Sequence, residues 1–191
     1  MDDSKVRLFK ALADQKYPEN FDVSTPEKRK LGAQLLLSET LEYVIKGLGV
    51  TPTVSGTPIT EADALQYEIV EDRRPSPLEM IDGLADVAYT MYWNSVAFKI
   101  PLDQAYDLVC DNNLEKFVHL QEWSSAEGPL TKASWDCNIG VVWPKEVSSV
   151  EVVKVNDSYY AVGKDARGKV RKPSTYKPVD LSGLLPVASN E

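Results

Sequence analysis

Apolar residues recur at helical spacing through the first two thirds of the chain and begin to alternate with polar ones only beyond it. Residues 5–16 read as a short helix that stops before Pro18. Ser24-Thr25-Pro26-Glu27 then supplies a hydroxyl cap, a proline in the first turn and an acid near the positive end of the helix dipole. The helix it opens, over about 27–48, is apolar almost all round (Leu31, Leu35, Leu36, Leu37, Leu41, Val44, Ile45, Leu48) and is expected to be buried by neighbours on several sides. Gly47 and Gly49 end it. Residues 50–60, with Pro52, Gly56 and Pro58, read as a loop. A helical stretch around 61–69 and the exposed turn Glu71-Asp72-Arg73-Arg74-Pro75 follow. A strong helix then runs from Ser76-Pro77 to about Lys99, and another from Leu102 to about Gln121. Four or so helices with short connections predict an all-α fold, an antiparallel bundle over residues 1–121.

Beyond Trp123 the period changes. Residues 140–162 are rich in Val and Tyr around Asn156-Asp157-Ser158, which predicts a β-hairpin or small sheet. Residues 163–178 have no apolar period and read as extended chain. Residues 122–191 are therefore expected to form a small β-rich appendage and a basic tail beside the bundle.

Composition narrows the function classes. The 191 residues are 43% hydrophobic and 26% charged, as in soluble globular proteins. No apolar run reaches about 18 residues, so no membrane span is expected. The acidic, polar opening Met1-Asp2-Asp3-Ser4-Lys5, with no apolar stretch after it, leads us to expect no secretory signal. Cys110 and Cys137 match no zinc or CxxC spacing and read as reduced thiols of a cytoplasmic protein, a lone disulfide being the alternative. A formal charge of −8 argues against nucleic acid as a partner, although residues 164–177 gather six Lys/Arg against one Asp.

Two acidic clusters carry the candidate chemistry. Glu39 and Glu42, three residues apart, project side by side from the helix over 27–48. Glu79, Asp82 and Asp86 form a stripe on the helix that opens at Ser76, continued by Tyr89 and Trp93. Each cluster alone reads as the solvated face of an amphipathic helix. On two strongly apolar helices that a bundle brings face to face, they would repel one another unless a hard divalent cation lay between them. An all-oxygen set suits Mg2+ or Mn2+ rather than zinc. The chain has no GxxxxGK[ST] loop, no GxGxxG and no GxSxG elbow. Its one histidine, His119, leaves neither a histidine metal centre nor a Ser-His-Asp triad easy to build, and reads as a surface or packing residue at a helix end.

Four segments, in order, carry a family resemblance. Leu35-Leu36-Leu37-Ser38-Glu39-Thr40-Leu41-Glu42, followed by Gly47-Leu48-Gly49-Val50, is similar to a first acidic helix, and Asp82-Gly83-Leu84-Ala85-Asp86-Val87-Ala88-Tyr89 to a second acidic motif. Asp111-Asn112-Asn113-Leu114-Glu115-Lys116 resembles an Asn-x-x-Lys helix, and Gly168-Lys169-Val170-Arg171-Lys172-Pro173 a Gly-Lys-Val-x-Lys-Pro tail. Together they resemble the all-α nucleoside triphosphate pyrophosphatases, the MazG-like and phosphoribosyl-ATP pyrophosphohydrolase-like group found in many phages. The resemblance covers about 6–116 and 163–181. It implies that Glu39, Glu42, Asp82 and Asp86 hold Mg2+, with Mn2+ able to substitute, and that Asn113 and Lys116 contact the nucleotide or its phosphates. The implied reaction is hydrolysis of a nucleoside triphosphate to monophosphate and diphosphate, with dGTP or dUTP of a phage nucleotide pool as plausible substrates. Ser38 stands where many members have a further Glu, Cys110 where relatives often have His, and residues 118–160 read as an insertion without an assigned role.

Other features carry weaker readings. A carboxylate such as Glu39 or Glu42 can take a proton from an attacking water. Trp93, like Tyr89 and Tyr92, can stack on a base, although at helical spacing such rings are more often core. Lys169 and Lys172 lie in a basic tail that folds over phosphates, covers a neighbouring subunit or stays solvated. Helices this apolar predict a homodimer or homotetramer. Two other functions stay open: a non-catalytic helical interaction module, and a phosphoribosyl-ATP hydrolase.

Overall fold

The computed structural model describes residues 2–15, 18–121, 123, 127–136 and 140–185. In chain order the helices are α1 (Ser4–Leu12), α2 (Pro26–Glu42), α3 (Pro77–Phe98) and α4 (Leu102–Leu114). The strands are β1 (Thr53–Val54), β2 (Thr57–Pro58), β3 (Val118–Leu120), β4 (Gly128–Pro129), β5 (Val147–Val155) and β6 (Ser158–Asp165). Among the described residues, six strands in two sheets beside four helices make this an α+β protein, and the expected all-α bundle with a small appendage is wrong. The chain divides into two compact units, Met1–Tyr17 with Thr90–Glu191, and Pro18–Tyr89.

The first unit is built on the β5–β6 hairpin. Its strands alternate around Asn156-Asp157, and Asn156 takes a left-handed φ of 54°, a conformation Asn tolerates better than most residues. β3 joins β6 and β4 joins β5, giving an antiparallel sheet of order β3-β6-β5-β4. Because successive side chains leave a strand on opposite faces, the hairpin feeds two apolar clusters. Val150, Val152 and Ala161 gather Leu120 and Val147 on one face, with Trp135, Trp143 and Leu130 packed over them. Val162, with Val153 and Tyr160, meets Leu12, Ala13 and Phe117 on the other. There Phe9 of α1 lies edge-on to Phe117 at 5.0 Å between ring centroids. Each fully buried Val or Leu contributes about 1.5–3 kcal/mol. The segment that reads as an insertion is therefore the core of this unit. The misreading has a plain cause: strands of nine and eight residues, with three and four buried positions, give a weaker periodic signal than a long helix.

The second unit holds α2 and the first half of α3. Thr25 caps α2 by accepting the Lys28 N–H at 3.3 Å, with Pro26 at its first position. The helix widens into a π-turn over Tyr43–Gly47 and ends where Gly49 takes a φ of 66°. β1 and β2 pair through Ser55-Gly56, both at positive φ, and residues 61–69 form a turn and irregular chain rather than the expected helix. None of the described residues of this unit is buried. The burial expected of α2 on several sides is thus absent within one chain, with Leu31 50% and Leu35 56% exposed.

α4 stops at Leu114, before the expected end, because the chain turns over residues 115–117 into β3. His119 consequently sits exposed on a strand, its ring 5.3 Å from that of Tyr160, and not at a helix end. Cys110 is a buried free thiol, while Cys137 lies outside the described residues. No helix among the described residues is long and apolar enough to cross a membrane.

Gly163 of β6 leaves no room for a side chain. A Cβ there would drive into the Trp143 ring, whose Nε1 donates to the Trp135 carbonyl at 2.9 Å and so has no freedom to move aside. Gly163→Ala is expected to lower stability by roughly 1–3 kcal/mol through overpacking. Urea denaturation measures this, and an unchanged midpoint would show that Trp143 yields without cost.

Candidate functional site

Side chains on one helix share a face when they lie three, four or seven apart, and both acidic clusters do so. On α2, Glu39 and Glu42 share a face with Leu31, Leu35 and Ser38, all on the solvent side of the isolated chain or half-exposed. On α3, Glu79, Asp82 and Asp86 share a face with Leu78, Tyr89, Trp93 and Val96, which are among the most exposed large apolar residues of the protein. α2 and α3 make no extensive contact, and among the described residues no three His, Cys, Asp or Glu side chains form a group able to hold a metal ion. Glu42 is engaged locally: Lys46 Nζ donates to its Oε1 at 2.8 Å, and this bond raises the lysine pKa above its ordinary value. Ser38 Oγ turns back to donate to the Leu35 carbonyl at 3.1 Å.

The residues expected to hold the nucleotide lie in the first unit. Asn113 and Lys116 come together as the motif spacing implies, with Lys116 Nζ donating to Asn113 Oδ1 at 2.6 Å. Asn113 also lines a small cleft of about 190 Å3 with Lys5, Phe9 and Cys110. Trp93 is 58% exposed, and Tyr92, also exposed, donates from its hydroxyl to Asp103 Oδ1 at 3.1 Å, which raises its pKa. Neither ring is part of a core within the chain.

Lys169 and Lys172 belong to a tail that the sheet holds firmly. Asp165, at the end of β6, accepts the Arg167 and Lys169 N–H groups on Oδ1, each at 2.9 Å, and takes Arg171 Nη2 and Nε on Oδ2 at 2.6 and 3.0 Å. This folds Gly168-Lys169-Val170-Arg171 into a tight return against β6, with Gly168 at a φ of 78°. Lys172 Nζ then lies 4.6 Å over the Tyr176 ring, and Lys169 is exposed.

Asn112, beside the expected Asn113, is the residue that sequence reasoning missed. It is buried on α4, donates to the Lys177 carbonyl at 2.6 Å and accepts the Tyr176 hydroxyl at 2.5 Å, so it pins the tail to the helix. Partners 64 and 65 positions away leave no local signal. The Asn-x-x-Lys and Gly-Lys-Val-x-Lys-Pro segments therefore both have structural work in this unit. No family model, characterised protein or solved structure matches the chain.

Hydrogen bonds from Lys169 and Arg167, then the Arg171 guanidinium, hold the Asp165 pKa below its ordinary value of 3.8. A depressed carboxylate stabilises the fold at pH above the unfolded-state value and loses that contribution as pH falls through the folded-state value. Asp165→Asn is expected to lower the urea midpoint at pH 7 and to flatten its decline below about pH 4. Parallel pH profiles for the two proteins would remove Asp165 as a source of acid sensitivity.

Proposed function

We propose that the chain hydrolyses a nucleoside triphosphate to its monophosphate and diphosphate, working as a homo-oligomer with a divalent cation held by acids of α2 and α3. One observation carries this reading. On each helix the acids share a face with large apolar side chains that one chain leaves in water. Exposed apolar surface of that extent marks an interface. Its covering by a second copy would place carboxylates in a dry setting, where two or more of them require a cation. The oxygen-only donor set suits Mg2+, with Mn2+ as a substitute. Within one chain the four carboxylates do not close a coordination shell, so the reading rests on assembly as well as on residue type. The triphosphate end of the substrate supplies the negative charge that such an ion neutralises.

A specific pair of contacts favours a second reading, a non-catalytic interaction module. Glu42 is already paired with Lys46, and Ser38 spends its hydroxyl on the helix backbone. Apolar faces alone then account for α2 and α3, and assembly would be their whole purpose.

Sedimentation separates these readings in two steps. Both expect a particle of at least twice 21.2 kDa, reduced in mass by Leu35→Asp combined with Ile81→Asp, and a monomer at tens of micromolar chain would defeat both. Diphosphate release from a panel of nucleotides, with Mg2+ and with EDTA, then decides between them. Hydrolysis requires Mg2+ and falls on the order of 100-fold or more in Glu42→Gln and Asp86→Asn, with helix content intact. An oligomer that releases no diphosphate from any triphosphate is the module. The same panel, scored by base and sugar, reads the specificity.

A further inference from the structure

The second unit contains a cleft whose walls carry four cations. One face of α2, including Arg29 and Lys30, forms one side, and the chain over 66–70 and 73–75 lies along it, bringing Arg73 and Arg74 to the same space. The cleft measures about 470 Å3, within the range of small-molecule sites. Arg29 is fixed at the start of α2 by donating from Nη1 to the Ser24 and Val23 carbonyls, at 2.5 and 3.4 Å. Those acceptors are neutral. Among the described residues, no carboxylate forms an ion pair with Arg29, Lys30, Arg73 or Arg74. Glu68 lines the cleft as its one acid and pairs with none of them.

Four uncompensated cations around a concavity repel one another, and they stand in a chain with 29 Asp/Glu against 21 Lys/Arg. A concave wall of one sign focuses the field and concentrates counter-ions of the other. Three of the four groups are guanidinium forks, the geometry that takes phosphate oxygens two at a time. Several such groups match several linked phosphates better than one. The remaining wall is apolar and aromatic, with Tyr67, Ile69 and Val70 offering a surface for a flat or greasy body.

We propose that this cleft binds an oligophosphate joined to a ring-bearing body, a nucleoside polyphosphate being the chemistry that fills both halves. The site is separate from the acids of α2. At 3.6 residues per turn, Glu39 and Glu42 lie on average roughly 130° round the helix from Arg29 and Lys30, and about two to four turns along it. Binding therefore needs neither the divalent cation nor hydrolysis, and the proposal stands or falls apart from the enzymatic reading.

Calorimetry on the intact chain in EDTA and low salt tests it, with inorganic tripolyphosphate, a nucleoside triphosphate, the matching nucleoside and a poly-glutamate peptide as titrants. Saturable binding of both phosphates is expected, weakening as salt rises, with the nucleotide several-fold tighter than tripolyphosphate and the nucleoside far weaker than either. Arg73→Ala with Arg74→Ala should cost both phosphates at least tenfold, and Arg73→Lys with Arg74→Lys should recover only part of that loss. Circular dichroism of the alanine pair checks that α2 and α3 survive. Absence of saturable phosphate binding, undiminished binding by the alanine pair, or equally tight binding of poly-glutamate overturns the proposal. Equal affinity for tripolyphosphate and nucleotide overturns the ring-bearing body.

Discussion

An apolar side chain must find cover from water, and the two units of this chain meet that requirement in opposite ways. In the first, the β5–β6 hairpin satisfies it internally: Val150, Val152 and Val162 are fully buried, between aromatic rings on one face and the ends of α1 and α4 on the other. The helices of that unit, the Asp165 turn and the tail all take their positions from this sheet. In the second unit, α2 and the first half of α3 hold rows of Leu and Ile with Tyr89, and none of them is buried. A helix in water draws most of its stability from packing of its apolar face rather than from intrinsic propensity. The proposed partner surface would therefore stabilise α2 as well as serve the proposed activity.

That condition shapes how the acids are read. A carboxylate on a solvated face costs nothing and does nothing. The same carboxylate beside Leu35, or beside Tyr89 and Trp93, loses water when those residues gain cover, and its charge then demands a counter-charge. Lys46 supplies one for Glu42, and among the described residues Glu39, Asp82 and Asp86 have no cationic partner within ion-pair distance. The proposed hydrolase and the proposed module differ in what meets those remaining acids when the faces close.

What the sequence made legible was local. Thr25 and Pro26 announced the start of α2, Pro77 that of α3, and Asn156-Asp157 the hairpin turn, because caps and turns are decided by neighbours in the chain. Helix ends were less legible: α4 stops at Leu114 because the sheet takes the chain away, which is a tertiary event. The balance between helix and sheet was misjudged for a related reason. A helix apolar all round looks like core, yet apolarity states only that cover is needed and not that the same chain supplies it. At the candidate site, residue types and spacing were readable, and Asn113 with Lys116 came together because three residues separate them on one turn. Whether two helices meet is decided at long range and left no trace in either helix.

Charge follows the same distinction between local and distant compensation. The basic tail looked like a ligand grip, yet Arg171 closes on Asp165 at 2.6 Å and Lys164 on Glu151 at 2.9 Å, so part of its charge is spent on holding the chain to the sheet. Arg73 and Arg74 looked like an ordinary exposed turn, and only the course of residues 66–75 along α2 sets them opposite Arg29 and Lys30. A cation with a carboxylate in contact is already satisfied by the fold. Cations gathered around a cleft without one stay open to an anion from outside the chain, which is the ground of the proposed oligophosphate site.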